Sequence, residues 1–453
     1  MEIVLIKAAQ LILSLSLLVI IHEFGHFLFA RIFKTRVEKF YLFFDPWFSL
    51  FKVKKGDTEY GVGWLPLGGY VKISGMIDES MDKEAMKLPP QPHEFRSKKT
   101  WQRLLIMIGG VVMNFILAFI IYIGILYAWG EQYLPTANVK YGIEVDSVGQ
   151  KIGLQNGDKI LSVDNKPVEN FLKIIPTVIL DDANHIQVER DGQKIDVEIS
   201  DDDLALLIKS KGVLSFRVPF NYKVAKLGKV SVAKDAGLKV GDQIIGMNNQ
   251  KYEYNDQFKA TLLDSVGKLI TLNVVRNNQE MSFPLVIPES GALGIQLDLD
   301  LENIFEFKTI KYGLFASIPA GIDKGINTIK DYLKQFKLIF SPKTKAYESL
   351  GGFIAIGNIF PGAWNWFSFW NMTAFLSIIL GVMNLLPIPA LDGGHVMFLL
   401  FEMITGRKPG DKFLEYAQIA GMALLLSLVL YANGNDFSKY IWDDLVKLWN
   451  NVF

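Results

Sequence analysis

Four long apolar runs interrupt an otherwise mixed chain, at about residues 8–30, 104–129, 364–391 and 416–432. A helix needs roughly 20 apolar residues, within a range of about 17 to 25, to cross the hydrocarbon core of a bilayer. Each run therefore predicts a membrane-spanning helix, the fourth only just long enough. The second run holds no charged residue, and the third holds none until Asp392 follows it. The first carries His22-Glu23-Phe24-Gly25-His26 in its interior. Its leader sets Glu2 against Lys7 and offers no small-residue cleavage site, which argues against a secretory signal.

The segment between the second and third runs, about 131–364, is polar, rich in alternating patterns and punctuated by glycine. It contains a repeat. Gly153-Leu154-Gln155-Asn156-Gly157-Asp158-Lys159-Ile160-Leu161 recurs as Gly237-Leu238-Lys239-Val240-Gly241-Asp242-Gln243-Ile244-Ile245. Each copy runs on to a turn, at Asn165-Lys166-Pro167 or Asn249-Gln250-Lys251, and later to an alternating strand, Ile186–Arg190 or Thr271–Arg276. The pattern predicts a short strand, a glycine turn, a second strand, a helix and a closing hairpin, twice. Residues 305–360 mix Ile, Phe and Leu with Lys at helical spacing. That spacing suits either an amphipathic helix on a membrane surface or a helix packed on the repeat.

Basic residues orient the spans. Arg31, Lys34, Arg36 and Lys39 follow the first; Arg96, Lys98, Lys99 and Arg103 precede the second; Arg407, Lys408 and Lys412 lie between the third and fourth. Positive residues favour the cytoplasmic side, so the repeat and the termini are expected on the other side.

The 453 residues leave room for about two to four units. Half are hydrophobic and the mean hydropathy is +0.24, which suits spans combined with water-exposed domains. Lys plus Arg and Asp plus Glu both number 47, so the charge balance does not point to nucleic acid. The absence of cysteine excludes disulfides and thiolate-held metals.

The chemistry gathers in the first and third runs. On a helix, positions i and i+4 share a face, so His22 and His26 can hold one metal ion while Glu23 supplies a carboxylate beside it. Polar side chains at this depth in a bilayer are costly, and coordination offsets that cost. The competing reading is a hydrogen-bonded polar cluster between helices. A third ligand is needed. His93 lies in a polar loop, His185 in the repeat, and His395 near the third run. Asp392 is the better candidate, because Pro387 and Pro389 would unwind the third span and turn the carboxylate inward. Gly393 and Gly394 permit close backbone approach. A carboxylate that merely caps a helix at the membrane surface is the alternative.

The doubled GLxxGD segment resembles tandem PDZ domains. The HExxH of the first run, with Asn384-Leu385-Leu386-Pro387-Ile388-Pro389-Ala390-Leu391-Asp392-Gly393-Gly394 in a later one, resembles the site-2 protease family, and the PDZ insertion resembles its bacterial regulator-of-sigma-E-protease branch. Gly61–Val71 resembles the family's membrane-dipping β-hairpin, and Gly110 with Asn114 matches its G-x-x-x-N pattern, although Val111 stands where the family often has Pro. The resemblance implies a multi-pass α-helical membrane protein of about four transmembrane helices, with a membrane-associated β-hairpin and two inserted β-rich PDZ domains. Residues 1–130 would form the first catalytic membrane half, 131–215 and 216–300 the PDZ domains, and 301–363 an amphipathic membrane-surface linker. Residues 364–453 would form the second half, with the LDG motif, a fourth span and a C-terminal helix. It further implies Zn2+ held by His22, His26 and Asp392, with Glu23 as catalytic acid/base. Asn384, Gly68, Gly69, Tyr70 and Asn114 are expected to contact substrate.

The implied activity is hydrolysis of peptide bonds within single-pass membrane proteins, such as a membrane-anchored anti-sigma factor or remnant signal peptides. The implied location is a bacterial inner membrane, with periplasmic PDZ domains and the site near the cytoplasmic side. The PDZ pair would either bind an exposed C-terminal peptide or filter out substrates with bulky outer domains, the filter being favoured. The competing function classes are a membrane metal transporter and an inactive PDZ scaffold. A transporter does not require Glu23 within HExxH, and a scaffold does not require the metal set.

Overall fold

A computed structural model describes residues 2–66, 68–76, 89–210, 212–220, 222–298, 301–341, 344 and 346–442. The chain forms two compact units. One comprises Met1–Gly130, Lys311–Phe336 and Tyr347–Phe453; the other comprises Glu131–Ile310 and Lys337–Ala346.

In the first unit the HExxH segment does not interrupt its helix. Helix α1 runs unbroken over Glu2–Ile32, and α2 covers Thr100–Ala128. The two pack backbone to backbone. A Cβ on Gly25 would lie 2.2 Å from the Gly109 carbonyl oxygen, and one on Gly109 would lie 2.7 Å from that of Gly25. Small residues allow such approach between helices in apolar surroundings.

Between these helices lies a sheet. Strands β1 (Val37–Leu42), β2 (Phe44–Lys55), β3 (Thr58–Leu65) and β4 (Tyr70–Ile73) take the order β2-β3-β1-β4. This corrects the expected hairpin over Gly61–Val71. Strands β3 and β4 do not pair with each other: β1 sits between them, parallel to β3 and antiparallel to β4. The true hairpin is β2–β3, closed at Gly56, whose φ of 64° suits glycine. The alternating pattern of 59–73 reads equally well in either pairing, which is why the sequence did not separate them. Leu67 lies outside the described residues.

Helix α3 (Leu314–Ile339) places Ser317, Gly321 and Gly325 on one buried face. A Cβ on Gly321 would meet the Ile123 backbone nitrogen at 2.6 Å, and one on Gly325 would meet the Phe119 ring at 2.4 Å. The helix therefore crosses α2 on a stripe of small residues, while Phe315, Ile318, Ile322 and Ile326 remain exposed. A short helix α4 (Phe353–Asn358) precedes α5 (Trp366–Leu385). The third apolar run is thus shorter as a helix than its composition suggested. Pro387 and Pro389 come after its end, as expected of residues that cannot continue a helix. The chain then restarts as α6 (Asp392–Thr405), a helix the hydropathy pattern did not predict, and continues into α7 (Asp411–Phe437). Among the described residues, four helical stretches are long and apolar enough to span a membrane: Glu2–Ile32, Thr100–Ala128, Trp366–Leu385 and Lys412–Trp442. The expected C-terminal helix beyond residue 442 lies outside the described residues.

The second unit shows why GLxxGD recurs. Strand β5 (Glu131–Tyr133) pairs with β16 (Lys308–Ile310). In the first copy of the repeat, β6 (Ile143–Val145) and β10 (Leu214–Phe216) pair, and β7 (Lys159–Val163), β8 (His185–Arg190) and β9 (Gln193–Glu198) form a three-stranded sheet. In the second, β11 (Tyr222–Leu227), β12 (Gln243–Met247), β13 (Leu269–Arg276), β14 (Gln279–Val286) and β15 (Ile295–Asp298) merge into one sheet of order β14-β13-β12-β11-β15. Beneath that difference the local geometry is the same. Gly153 and Gly237 have φ of 95° and 101°, and Gly157 and Gly241 have 97° and 91°, conformations that glycine alone adopts readily.

Asp158 and Asp242 are each 1% exposed. Each accepts a two-pronged Arg side chain, Arg190 at 2.7 and 2.8 Å and Arg276 at 2.6 Å twice. Each also accepts a backbone N–H from three residues earlier, at 2.8 Å. The same arginines donate to the Gly153 and Gly237 carbonyls. Burial raises the Asp242 pKa, but the Arg276 fork and the Lys239 amide outweigh it and hold the carboxyl below its ordinary range. Replacing Asp242 with Asn removes the charge that Arg276 binds. Amide hydrogen exchange in β12 and β13 should then rise roughly tenfold or more, while β7 and β8 keep their protection. Unchanged exchange in β12 would show that the pair does not hold this turn.

Candidate metal centre

Three side chains from two distant segments converge in the first unit. His22 and His26 project from one face of α1, both buried, and Asp392 occupies the first position of α6. His22 Nε2 lies 3.2 Å from Asp392 Oδ2, His26 Nε2 lies 3.3 Å from it, and the two Nε2 atoms are 3.2 Å apart. At zinc–ligand distances of about 2.0–2.1 Å, the edge of a tetrahedron is roughly 3.3–3.4 Å. The triangle therefore already has the dimensions of one face of a zinc site.

The proton arrangement agrees. His26 Nδ1 is 2.8 Å from the Ile106 carbonyl, which can only accept, so the proton sits on Nδ1 and Nε2 presents a lone pair to the centre. His22 Nδ1 faces the Asn114 side-chain amide at 3.1 Å. Asn114 is fully buried, and the amide oxygen has no partner when the nitrogen faces the ring. With the oxygen turned to the ring, Asn114 accepts the His22 Nδ1 proton, and His22 Nε2 also presents a lone pair. Asp392 Oδ2 is buried without a hydrogen-bond donor. Three electron-rich atoms thus meet where burying them with too few donors would be costly, and a cation resolves the cost. The residues present fit zinc.

Space for the ring pair is made by Gly110 on α2. A Cβ there would stand 2.5 Å from His26 Nε2 and 2.7 Å from His22 Cε1. Ser377 on α5 donates to the Asn114 carbonyl at 2.7 Å, tying the third span to the second at this level.

A cavity of about 670 Å3 opens beside the cluster, and Glu23, Gly69, Tyr70, Ala390 and Gln418 line it with the three converging residues. A Cβ on Gly69 would lie 3.5 Å from Glu23 Cγ, so β4 begins against the carboxylate-bearing turn of α1. Tyr70 donates to Asp45 at 2.9 Å and stacks on Tyr41. Burial, then Asp45, pushes its phenol well above the ordinary tyrosine range, so it remains a neutral donor. Asn384 Nδ2 lies 3.3 Å from His22 Nε2, at the edge of the cluster. Gly68 has a φ of 146° and packs near the Phe44 ring. Asn114 stands behind His22 and away from the cavity wall. Gln418 and Asp45 line the cavity without having been singled out in the sequence, as does Lys39, which was noted there only for its charge. Gln418 had a signal, an amide within an apolar run; Lys39 and Asp45 had none, since charged residues in a loop are ordinary.

The family model of Peptidase family M50 matches residues 10–428, which include all three converging residues. The chain belongs to peptidase family M50. It is similar along nearly its whole length to the Regulator of sigma E protease of Haemophilus influenzae, 28% identical over 449 residues, covering 94% of this chain and 98% of that protein. It is 29% identical over 456 residues to the Regulator of sigma-E protease RseP of Escherichia coli, covering 95% and 98%. A protein of Treponema pallidum whose name places it among zinc metalloproteases is 27% identical over 457 residues, covering 95% and 99%. As a member of the M50, or site-2 protease, family, the protein is an intramembrane zinc metalloprotease.

A methyl group at residue 110 would occupy the space of the histidine rings. Gly110→Ala is expected to weaken zinc retention by about 10- to 100-fold, the scale of 1–3 kcal/mol of overpacking. Titration of the purified protein with a competing chelator measures it, and wild-type retention would show that Gly110 does not set the ring positions.

Proposed function

We propose that His22, His26 and Asp392 hold the catalytic zinc and that Glu23 is the acid/base of peptide-bond hydrolysis within the membrane. The observation that carries this reading is the set of three buried lone pairs spaced as a tetrahedral face, with Glu23 on the same helical turn and in the same cavity. Zinc, when bound, supplies Lewis acidity and makes a water nucleophilic near neutral pH. Glu23 takes a proton from the attacking water and passes it to the leaving amide nitrogen. Asn114 orients His22 through Nδ1, and the Ile106 carbonyl does the same for His26.

A transmembrane substrate must unwind before its carbonyl can be attacked. Strand β4 is an edge of its sheet and starts beside Glu23. An extended substrate segment adds to that edge by strand pairing, with Asn384 and Tyr70 as polar contacts at either side. Gly69 supports this role by its lack of a side chain, and Gly68 by its glycine-favoured backbone.

The two repeat copies are read as PDZ domains, near 131–215 and 216–300. They act outside the bilayer as a filter against substrates with bulky outer domains. The PDZ pair is read as periplasmic and the metal centre as lying near the cytoplasmic side of a bacterial inner membrane, a reading that the basic residues flanking the spans support. The exposed apolar face of α3 suits a helix lying at the membrane surface. Substrates are single-pass membrane proteins, and the names of the relatives favour one that controls a sigma factor.

Glu23→Gln should retain zinc and lose at least about 100-fold in cleavage of a model transmembrane substrate, the scale of general acid–base catalysis. His22→Ala should lose the metal as well. Metal analysis alongside a reconstituted cleavage assay separates the two, and turnover near wild type in Glu23→Gln would remove that residue from the mechanism. Deleting about residues 135–295 should leave the metal in place and broaden the range of substrates cut. A truncated enzyme that binds zinc yet cuts fewer substrates would show that the pair recruits.

A further inference from the structure

The segment that delivers Asp392 to the metal centre is held from outside itself. Between α5 and α6 the chain runs through residues 386–391 without regular structure, and Pro387 and Pro389 have no N–H to donate. The other amides find acceptors nearby: Leu386 donates to Met383, Ile388 to Leu386, and Leu391 to Ile388. Ala390 is different. Its N–H donates to Gln418 Oε1 at 3.1 Å, across 28 positions of sequence.

Ala390 also has a φ of 80°, a conformation that an L side chain rarely adopts and that surrounding structure must enforce. Gln418 is itself 9% exposed. One turn further along α7, a Cβ on Gly421 would stand 1.7 Å from the Pro389 carbonyl oxygen, so the α7 backbone lies directly against the irregular segment. From the other side, a Cβ on Gly393 would stand 2.1 Å from the Leu386 carbonyl oxygen. The segment is therefore clasped between α6 and α7, with Gln418 as its outside hydrogen-bond partner.

We propose that Gln418 is a positioning residue for Asp392, holding Ala390 in its left-handed conformation so that the carboxylate two residues later meets His22 and His26. The proposal rests on the reading of Asp392 as a zinc ligand. It adds that the fourth membrane helix, which contributes no ligand, sets the geometry of the third one. Loss of the Gln418 acceptor lets Ala390 relax and carries Asp392 out of the triangle.

The test uses the full-length protein, with zinc affinity read by competition against a chelator and with kcat and KM read separately. Gln418→Leu keeps the size and loses the acceptor. It is expected to weaken zinc affinity about tenfold or more, the usual effect of removing an outer partner of a metal ligand, and to lower kcat with KM little changed. Gln418→Glu keeps an acceptor and should stay near wild type. Adding Ala390→Gly to Gln418→Leu should recover most of the loss, because glycine takes a positive φ without support. Where leucine prevents folding, Gln418→Asn, one methylene shorter, takes its place and should weaken zinc to a similar degree.

Wild-type zinc affinity and kcat in Gln418→Leu or Gln418→Asn would overturn the proposal. So would a loss shared equally by Gln418→Glu and left uncorrected by Ala390→Gly. Asp392→Ala is the separate control: zinc retained there would overturn the ligand assignment itself.

Discussion

The structure depends on one constraint: three electron-rich atoms, His22 Nε2, His26 Nε2 and Asp392 Oδ2, are brought within 3.2–3.3 Å of one another inside an apolar helical unit. Burying such an arrangement with neither a cation nor a shared proton is costly. With a cation, it becomes a strong cross-link between the start of the chain and its last quarter. Much of the first unit serves that meeting. Gly25 and Gly109 let α1 and α2 touch through their backbones, and Gly110 clears the space that the rings fill. Ile106 and Asn114, both from α2, fix which ring nitrogen of each histidine faces inward. The second helix supplies none of the three atoms and still bears on how two of them point.

The carboxylate arrives by a different route. A continuous third helix would carry residue 392 past the histidines, so the chain stops being helical at Leu385 and restarts at Asp392. Two prolines enforce the break, and a left-handed Ala390 aims the start of α6 at the histidines. Irregular backbone is tolerated in apolar surroundings when its polar groups find partners within the protein, and here each amide N–H of the break has an acceptor. Beside this break, strand β4 is an edge of its sheet among the described residues and begins next to Glu23. The machinery for metal chemistry and the proposed surface for holding an unwound substrate therefore share one cavity.

Much of this was legible in the sequence, for physical reasons. Apolar runs of bilayer length announce spans because nothing else in the chain needs them. Histidines four apart announce a shared face because helical geometry is local, and the repeated GLxxGD is visible because each copy solves the same turn with the same buried Asp. The features that escaped notice are those that depend on pairing between distant segments. The alternation of residues 59–73 is compatible with a hairpin and with two strands flanking β1, and only the fold separates them. Helix α6, 14 residues long, is too short to stand out as a span. The Ala390–Gln418 bond joins two ordinary residue types, and neither the left-handed φ of an alanine nor its distant acceptor leaves a mark in composition.

The most direct test of the converging triangle is X-ray absorption at the zinc edge of the loaded, full-length Glu23→Gln protein. The expected spectrum has a shell of nitrogen and oxygen neighbours at about 2.0–2.1 Å, with the outer scattering of two imidazole rings and no sulfur. In the His26→Ala variant of the same protein the zinc, and with it the two-ring spectrum, should be lost. A spectrum without imidazole scattering, or one that still shows two rings after His26 is removed, would contradict a zinc site built on His22, His26 and Asp392.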